Sequence, residues 1–454
     1  MASDSFTFAA TGDAILANSV SALESERDGF GALLDVLRAA DAAVTQVEPV
    51  LVTEGTPHAS LRQETDQYQY LAPFPGAIMG SDPSILDELV NMGVNLFTAA
   101  SNHALDFGAT GVRSTLSAMH TRDVPFAGIG RDLTEARSPA YLDTEAGRVG
   151  LLNATTSVPP GGEAGVSTSR FDGECGVNPL HVEWTYRMLP EHLDQLQTIA
   201  ERTGIDQIKG EWLRRENPDW RTDDAYYFMQ MRCAPATEQQ PPGIYHSVHE
   251  RDREALLGGI GDADAAADWV IVALHVHQAR DGNRNTSETP KFLQRVAHEC
   301  VETGADAVVV TGPHALRGVE LHQERPIFYS LGNFFFQEEA IHRIPESIDQ
   351  PVESTVPNVR GSSAGQETAS TVAHDADNWM SFVPRCEFAA NGTLTDVTLY
   401  PCTLQPRAPV PQRGTPTLAT GQAARDILRT VAERSAAFGT TIRIEDETGT
   451  ITLA

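Results

Sequence analysis

The chain has 454 residues, enough for two or three domains or for one large domain carrying insertions, and for a core that stands without disulfide staples. Its formal net charge of −29 excludes nonspecific nucleic-acid binding, which draws its free energy from protein cations that displace counterions on phosphates. Lys209 and Lys291 are the only lysines, and an acidic, lysine-poor surface suits concentrated salt, where screening suppresses self-repulsion; a salt-loving source is expected, although biased base composition would also deplete lysine.

Met-Ala-Ser-Asp leads directly into an apolar strand, with no basic region and no long apolar stretch. A cytoplasmic location without a membrane segment is expected. Ser5 to Asp13 reads as a short strand stopping at Gly12, where the backbone can turn sharply and leave Asp13 at the strand's end. The pattern then predicts a helix over Phe30–Ala40, a strand from Asp41 that ends at Glu48, and a polar excursion from Thr53 to Tyr70 near a site mouth. A helix over Pro83–Met92 precedes the buried strand Val94–Ala100. That apolar run breaks into Ser101, Asn102, His103 and then Asp106, residues that face the ligand crevice when they follow a strand in an open α/β sheet. Asn102 can offer an oxygen to a metal or cap the next helix. His103 can ligate, move a proton or serve as a loop hydrogen bonder. Leu105–His120 reads as a helix, Val124–Ile129 as a strand closing in Gly128-Ile-Gly130, and the rhythm predicts a layered α/β core.

After the strand Arg148–Ala154 the regularity fails from about Pro159 to Asp264. This stretch reads as a mixed insertion on the substrate side, with helices over Pro190–Arg202 and Gln207–Arg215. Its aromatics, among them Trp184, Tyr186, Trp212, Trp220 and Tyr226, argue against disorder. Asp268 to His277 is a buried strand delivering His275 and His277. A helix from Pro290 to Thr303 leads to Ala307–Val310, which ends in Thr311-Gly-Pro-His314. Arg325–Phe336 reads as one strand with a polar tip at Gly332-Asn333. The stretch from Glu338 to Asp377 reads as a mobile loop. Asn391-Gly392 marks a hairpin between Ser381–Phe388 and Leu394–Tyr400. Helix Gly421–Ala437 and two short strands finish the chain. The expected organisation is a core over 1–337 with an insertion at 159–264, a loop over 338–380, and a hairpin and helix over 381–454 that complete the core. Cys175, Cys233, Cys300, Cys386 and Cys402 are scattered without a Cys-x-x-Cys pair and are expected to be reduced.

The strand ends together supply Asp13, Glu48, Asn102, His103, His275, His277 and His314. Carboxylate, amide oxygen and imidazole suit Mn²⁺, Zn²⁺ or Fe²⁺, and one carboxylate can bridge two ions. A site for one or two divalent ions is therefore expected.

Phe8 to Asp13, Val47-Glu48, Ala100 to Gly108, Gly128-Ile-Gly130, Gly312 to Glu320 and Tyr329-Ser-Leu-Gly-Asn-Phe334 also resemble the CapA family, proteins tied to poly-γ-glutamate capsule synthesis. The resemblance runs in order from about Phe6 to Phe336, interrupted by the insertion. It implies a calcineurin-like metallophosphatase fold, a layered β-sandwich flanked by helices. It further implies that Asp13 and His314 hold one metal, Glu48 bridges, Asn102 and His275 hold the second, and His103 donates a proton or stabilises charge. Asp106, Arg317 and Asn333 fall within the matched blocks as auxiliary residues. Two departures stand out: Thr311 replaces a usual histidine, and Val276-His277 replaces Trp-Gly. On an extended strand His275 and His277 share a face, so His277 can compensate. The expected activity is hydrolysis of a phosphoester or amide bond in a small-molecule or polymer substrate, with a non-catalytic role in handling a γ-glutamyl polymer as the alternative. The acidity itself has a measurable consequence: the melting temperature is expected to rise between dilute buffer and molar KCl, and a salt-independent melt would remove the halophilic reading.

Overall fold

A computed structural model of the chain describes residues 5–23, 28–53, 56, 77–159, 161–205, 207, 225–229, 231–280, 285–343, 376–409 and 412–453. Most of the expected excursion after Thr53, the Gln207–Arg215 helix beyond its first residue, Trp212, Trp220 and most of the 338–377 loop lie outside these residues.

The elements that position the site are strand β1 (Ser5–Ile15), helix α1 (Asp28–Arg38), β2 (Ala42–Val47), α2 (Ile85–Asn91), β3 (Leu96–Thr98), α3 (Gly108–Thr121) and β4 (Gly147–Thr155). They continue with α4 (Glu250–Asp264), β5 (Trp269–His275), α5 (Lys291–Thr303), β6 (Ala307–Thr311), β7 (Val319–His322), β8 (Arg325–Phe328), β9 (Asn333–Phe336), β10 (Met380–Ala389), β11 (Leu394–Thr403) and α6 (Gly421–Ala436). One sheet runs β11, β10, β1, β2, β3, with β9 also paired to β1; the other runs β7, β8, β6, β5, β4.

Side-chain alternation decides how these sheets pack, because successive residues of a strand point to opposite faces. Phe6, Phe8 and Ala10 of β1 meet Trp269, Ile271 and Ala273 of β5 in one cluster between the sheets, where Phe6 stacks on Trp269 at 4.6 Å between ring centroids. The opposite face of the first sheet is covered by Leu33, Leu34 and Leu37 of α1 with Leu86 and Leu89 of α2. Val270, Val272 and Leu274 on the far side of β5 pack under Leu256 and Ile260 of α4 and Phe292 and Val296 of α5. Each such side chain contributes about 1.5–3 kcal/mol on burial, so strands buried on both faces are strongly driven. The layers run helix, sheet, sheet, helix: an α/β, metallophosphatase-like fold. No helix among the described residues is long and apolar enough to cross a membrane.

The C-terminal hairpin forms as expected, turning at Gly392 with φ +84°, and β10 pairs antiparallel with β1. Ile427, Leu428 and Val431 of α6 join the cluster between the sheets.

Four expectations need correction. β1 does not stop at Gly12 but continues to Ile15 through a bulge, so Asp13 lies within a strand. Arg325–Phe336 is two strands in different sheets, because the chain crosses between layers at Gly332, φ +76°. Val124–Ile129 is broken at Gly128, φ +100°, into Phe126–Ala127 and Ile129–Gly130. The stretch after Pro159 is more regular than its sequence suggests. It holds a four-stranded sheet in the order Tyr226–Phe228, Met231–Pro235, Val182–Met188, Gly243–Val248, besides the expected helix Pro190–Thr203.

The bulge in β1 depends on a close approach. A Cβ on Gly12 would sit 1.7 Å from the Gly332 carbonyl oxygen, which also accepts from Asp13 N at 3.3 Å. Gly12→Ala is therefore expected to destabilise the protein by about 3 kcal/mol in urea unfolding, as overpacking does. Gly258→Ala, on α4 with open space around it, should not.

Candidate metal centre

Both sheets direct their carboxyl ends to one edge. The β1 bulge re-aims Asp13 toward the edge. Glu48 is the first residue past β2, and Asn102 and His103 lie in the turn after β3. His275 ends β5, with His277 two residues on, and His314 follows β6 in a left-handed conformation, φ +54°. A non-glycine residue held in that region is strained, and such strain concentrates at functional sites. The turn that carries Asn102 and His103 is tied to Glu48: Ser101 Oγ donates to the Glu48 carbonyl at 3.3 Å and accepts from His103 N at 3.1 Å.

Three atoms converge at the centre of this edge. Asn102 Oδ1 lies 2.9 Å from His275 Nε2 and 2.9 Å from His277 Nε2, and the two nitrogens are 3.1 Å apart. Nδ1 of His277 meets Asn285 Oδ1 at 2.6 Å, and Nδ1 of His275 meets Thr311 Oγ1 at 3.0 Å with Asp13 Oδ1 3.6 Å away. Asn285 Oδ1 places the His277 proton at Nδ1, and with the His275 proton likewise on Nδ1, the side of Asp13, both Nε2 lone pairs and the amide oxygen aim at one another. Such a triangle of acceptors has the spacing of neighbouring ligands around one cation with bonds of about 2.1 Å.

A second group adjoins it. His314 Nδ1 is 3.6 Å from Asp13 Oδ2, and its Nε2 is 3.6 Å from Glu48 Oε1. Ligand atoms of Asp13, Glu48 and His314 lie within 4.8 Å of one another, as do those of Glu48, His275 and His277, so Glu48 is common to both sets. His314 donates from Nδ1 to Asn333 Oδ1 at 2.8 Å, and Asn333 is anchored through its amide nitrogen to Asn378 O. Asp13 Oδ2 accepts from Gly312 N at 2.9 Å. Asp13 Oδ1 and both carboxylate oxygens of Glu48 are buried with no hydrogen-bond partner among the described residues.

Unpaired buried acceptors are costly, and the ionisation of these groups reflects it. Burial, then the neighbouring charge of Asp13, pushes the Glu48 carboxyl well above the usual range, against the opposing pull of His103. Burial would also raise Asp13, but the His275 imidazole and then His314 hold it below its ordinary value. Burial lowers His275 despite Asp13. For His103 burial is outweighed by Asp106 and Glu48, and the imidazolium is favoured.

His103 stands apart from the three converging atoms. Its Nδ1 meets Asp106 Oδ2 at 2.7 Å, the same oxygen takes Met79 N at 2.7 Å, and its Nε2 lies 4.0 Å from Glu48 Oε1. It can therefore hold a proton facing the cleft, with Asp106 fixing the ring.

The structure thus brings together Asp13, Glu48, Asn102, His103, His275, His277 and His314, with Asp106 and Asn333 as partners behind two imidazoles. Arg317 is not at the centre: its Nε donates to Thr286 O and its Nη2 to Gln278 O, both at 2.9 Å. Sequence reasoning missed Asn285, which lies in a polar loop without periodicity. It noted Thr311 only as a missing imidazole, whereas the hydroxyl meets His275.

The family described as bacterial capsule synthesis protein PGA_cap matches residues 7–338, a span that contains every one of these centre residues. The uncharacterized proteins y4sH and y4uA of Sinorhizobium fredii are each 30% identical to this chain over 468 residues, covering 99% of it and 94% of their own length. The PGA biosynthesis protein CapA of Bacillus subtilis is 22% identical over 250 residues, 55% of this chain and 44% of its own. The capsule biosynthesis protein CapA of Bacillus anthracis is 21% identical over 246 residues, 54% of this chain and 41% of its own, so the match spans less than half of either CapA. By the extent of the family match, the chain belongs to the CapA family of bacterial capsule synthesis proteins.

Proposed function

We propose that this protein is a metal-dependent hydrolase acting on a phosphoester or amide bond in capsule or γ-glutamyl polymer metabolism. The observation that carries this reading is the convergence of Asn102 Oδ1, His275 Nε2 and His277 Nε2 beside the partnerless carboxylate of Glu48. Asn102, His275, His277 and Glu48 would hold one divalent ion, and Asp13, Glu48 and His314 a second, with Mn²⁺, Zn²⁺ and Fe²⁺ suited to the donor set. Bound there, the ions would polarise the scissile group and supply hydroxide near neutral pH.

The chain's own residues do the rest. His103, kept protonated by Asp106 and Glu48, is the donor to the leaving group, the oxygen of an ester or the nitrogen of an amide. Asp106, held by Met79 N, fixes the ring so that Nε2 faces the centre. The insertion leaves the core directly after β4, at the carboxyl-end edge where the centre lies, and we assign it to the substrate side.

The second reading, an accessory role in polymer synthesis, is favoured by the names of the two Bacillus relatives, which refer to biosynthesis. Elemental analysis of purified protein and assays of ester and amide substrates with added Mn²⁺ separate the two. Bound metal without turnover on any substrate leaves the accessory role, and no stoichiometric metal sinks the hydrolase reading.

His103→Ala is expected to keep its metal and lose about 10²–10⁴-fold in turnover. Loss of metal as severe as that of Asn102→Ala would instead make His103 a ligand. Asn285→Ala removes the acceptor that orients His277 and is expected to weaken metal binding about 10–100-fold, read by competition with a chelating dye. An unchanged affinity would show that His277 is not held through Asn285.

A further inference from the structure

We infer that a second, independent transition-metal site lies at the outer edge of the β7–β6 sheet, formed by His298 and Glu302 of α5 with Glu320 and His322 of β7. The spacing alone puts each pair on one face: residues four apart on a helix are neighbours, and residues two apart on a strand share a side. The two faces meet. His298 Nε2 lies 3.0 Å from Glu320 Oε1, and His322 Nε2 lies 3.0 Å from Glu302 Oε1. Ligand atoms of His298, Glu320 and His322 all fall within 4.8 Å of one another. β7 is the edge strand of its sheet, and the histidine side chains are 32% and 21% exposed, so an ion can enter and the rings can turn.

Two features suit this cluster to a cation. The imidazoles stack at 3.9 Å between centroids and 3° between planes, which with the shared ligand-atom spacing puts nitrogens of both rings beside the Glu320 carboxylate. A single divalent ion would take a nitrogen from each ring and neutralise both carboxylates, once one ring rotates so that the nitrogen lone pairs converge. The other feature lies behind the first: the buried Tyr329 hydroxyl donates to Glu320 Oε2 at 2.6 Å, pinning this carboxylate while leaving its other oxygen outward. An outer hydrogen bond of this kind fixes the orientation of a ligand. Two imidazoles and two carboxylates make a donor set for Zn²⁺ in tetrahedral geometry rather than for Mg²⁺ or Ca²⁺, which prefer oxygen alone. The site shares no residue with the centre formed by Asp13, Glu48 and the other histidines.

The test uses the full chain, stripped with EDTA, loaded with excess Zn²⁺ and passed through gel filtration before elemental analysis. His322→Ala is expected to bind one zinc fewer per chain than the unmodified protein, whatever number the other centre holds. Equal zinc content in the two would overturn the proposal. Glu302→Gln alters a half-exposed side chain and keeps the test valid should His322→Ala fold poorly. By calorimetric zinc titration it is expected to bind at this site at least ten-fold more weakly, and an unchanged isotherm would likewise overturn the site.

Discussion

Two carboxylates, Asp13 and Glu48, are withdrawn from water on either side of the same imidazole, 3.6 Å from each, and the carboxyl-end edge of the molecule is arranged around that constraint. Removing an ion from water costs several kcal/mol even after relaxation, so such groups must be paired, hydrogen-bonded or neutralised. Asp13 has Gly312 N and two imidazoles to hold it ionised; Glu48 has no hydrogen-bond partner among the described residues, and burial drives it toward the neutral form. A proton on Glu48 would relieve that one residue but would leave three lone-pair atoms pressed together at Asn102, His275 and His277. On the proposed reading a divalent cation answers both problems, and it reverses the local preference by favouring the ionised carboxylate.

Holding that arrangement requires two sheets to end at the same place. The crossing from β8 to β9 achieves it, because the strand that leaves the second sheet enters the first beside Asp13. Gly332 accepts from Asp13 N, and its neighbour Asn333 accepts from His314 Nδ1, so one short segment braces a residue from each layer. Substitution at Gly12 therefore bears on stability and on site geometry together. The strained backbone of His314 belongs to the same device, since the left-handed turn after Gly312 brings the imidazole back toward Glu48.

Much of this was legible because strong alternation and abrupt polarity changes survive in the sequence. Trp269–His275, the Asn391-Gly392 hairpin and the helix from Gly421 need no tertiary information to be recognised. Glu48, Asn102, His275 and His314 each follow an apolar run, which marks a strand's carboxyl end, whereas Asp13 interrupts its run at a bulge inside β1. The run Arg325–Phe336 defeats this logic. Strands buried on both faces lose their alternation, so nothing in the apolar pattern reveals that the chain changes sheets, and only the Ser330 to Gly332 interval hints at it. The partners behind the imidazoles were out of reach for another reason. Thr311 and Asn285 are ordinary polar residues until the fold sets one beside His275 and the other beside His277. The ring contact between α5 and β7 likewise exists only once a helix has been laid on the sheet edge.

Arg317 is a case where charge and position part company. Its guanidinium is fully buried, its Nη1 has no partner among the described residues, and burial brings its pKa down to about 9. In a chain with a net charge of −29 this cation is held by carbonyl dipoles instead of a carboxylate. Its geometry supplies the reason. The planar fork spans Gln278 O and Thr286 O, the two ends of the segment that carries Asn285, while Asn285 N donates to His277 O at 3.1 Å. A lysine ammonium, a compact charge on a flexible stem, does not present fixed donors to two carbonyls at once. Rigidity therefore passes from Arg317 to Asn285, from Asn285 Oδ1 to His277 Nδ1, and so to the direction of the Nε2 lone pair. The direction matters because, on the proposed reading, His277 supplies an imidazole to the ion while Thr311 offers His275 only a hydroxyl. A ligand proposed at this backbone position has to be aimed by its own neighbours, and Asn285, with Arg317 behind it, provides them.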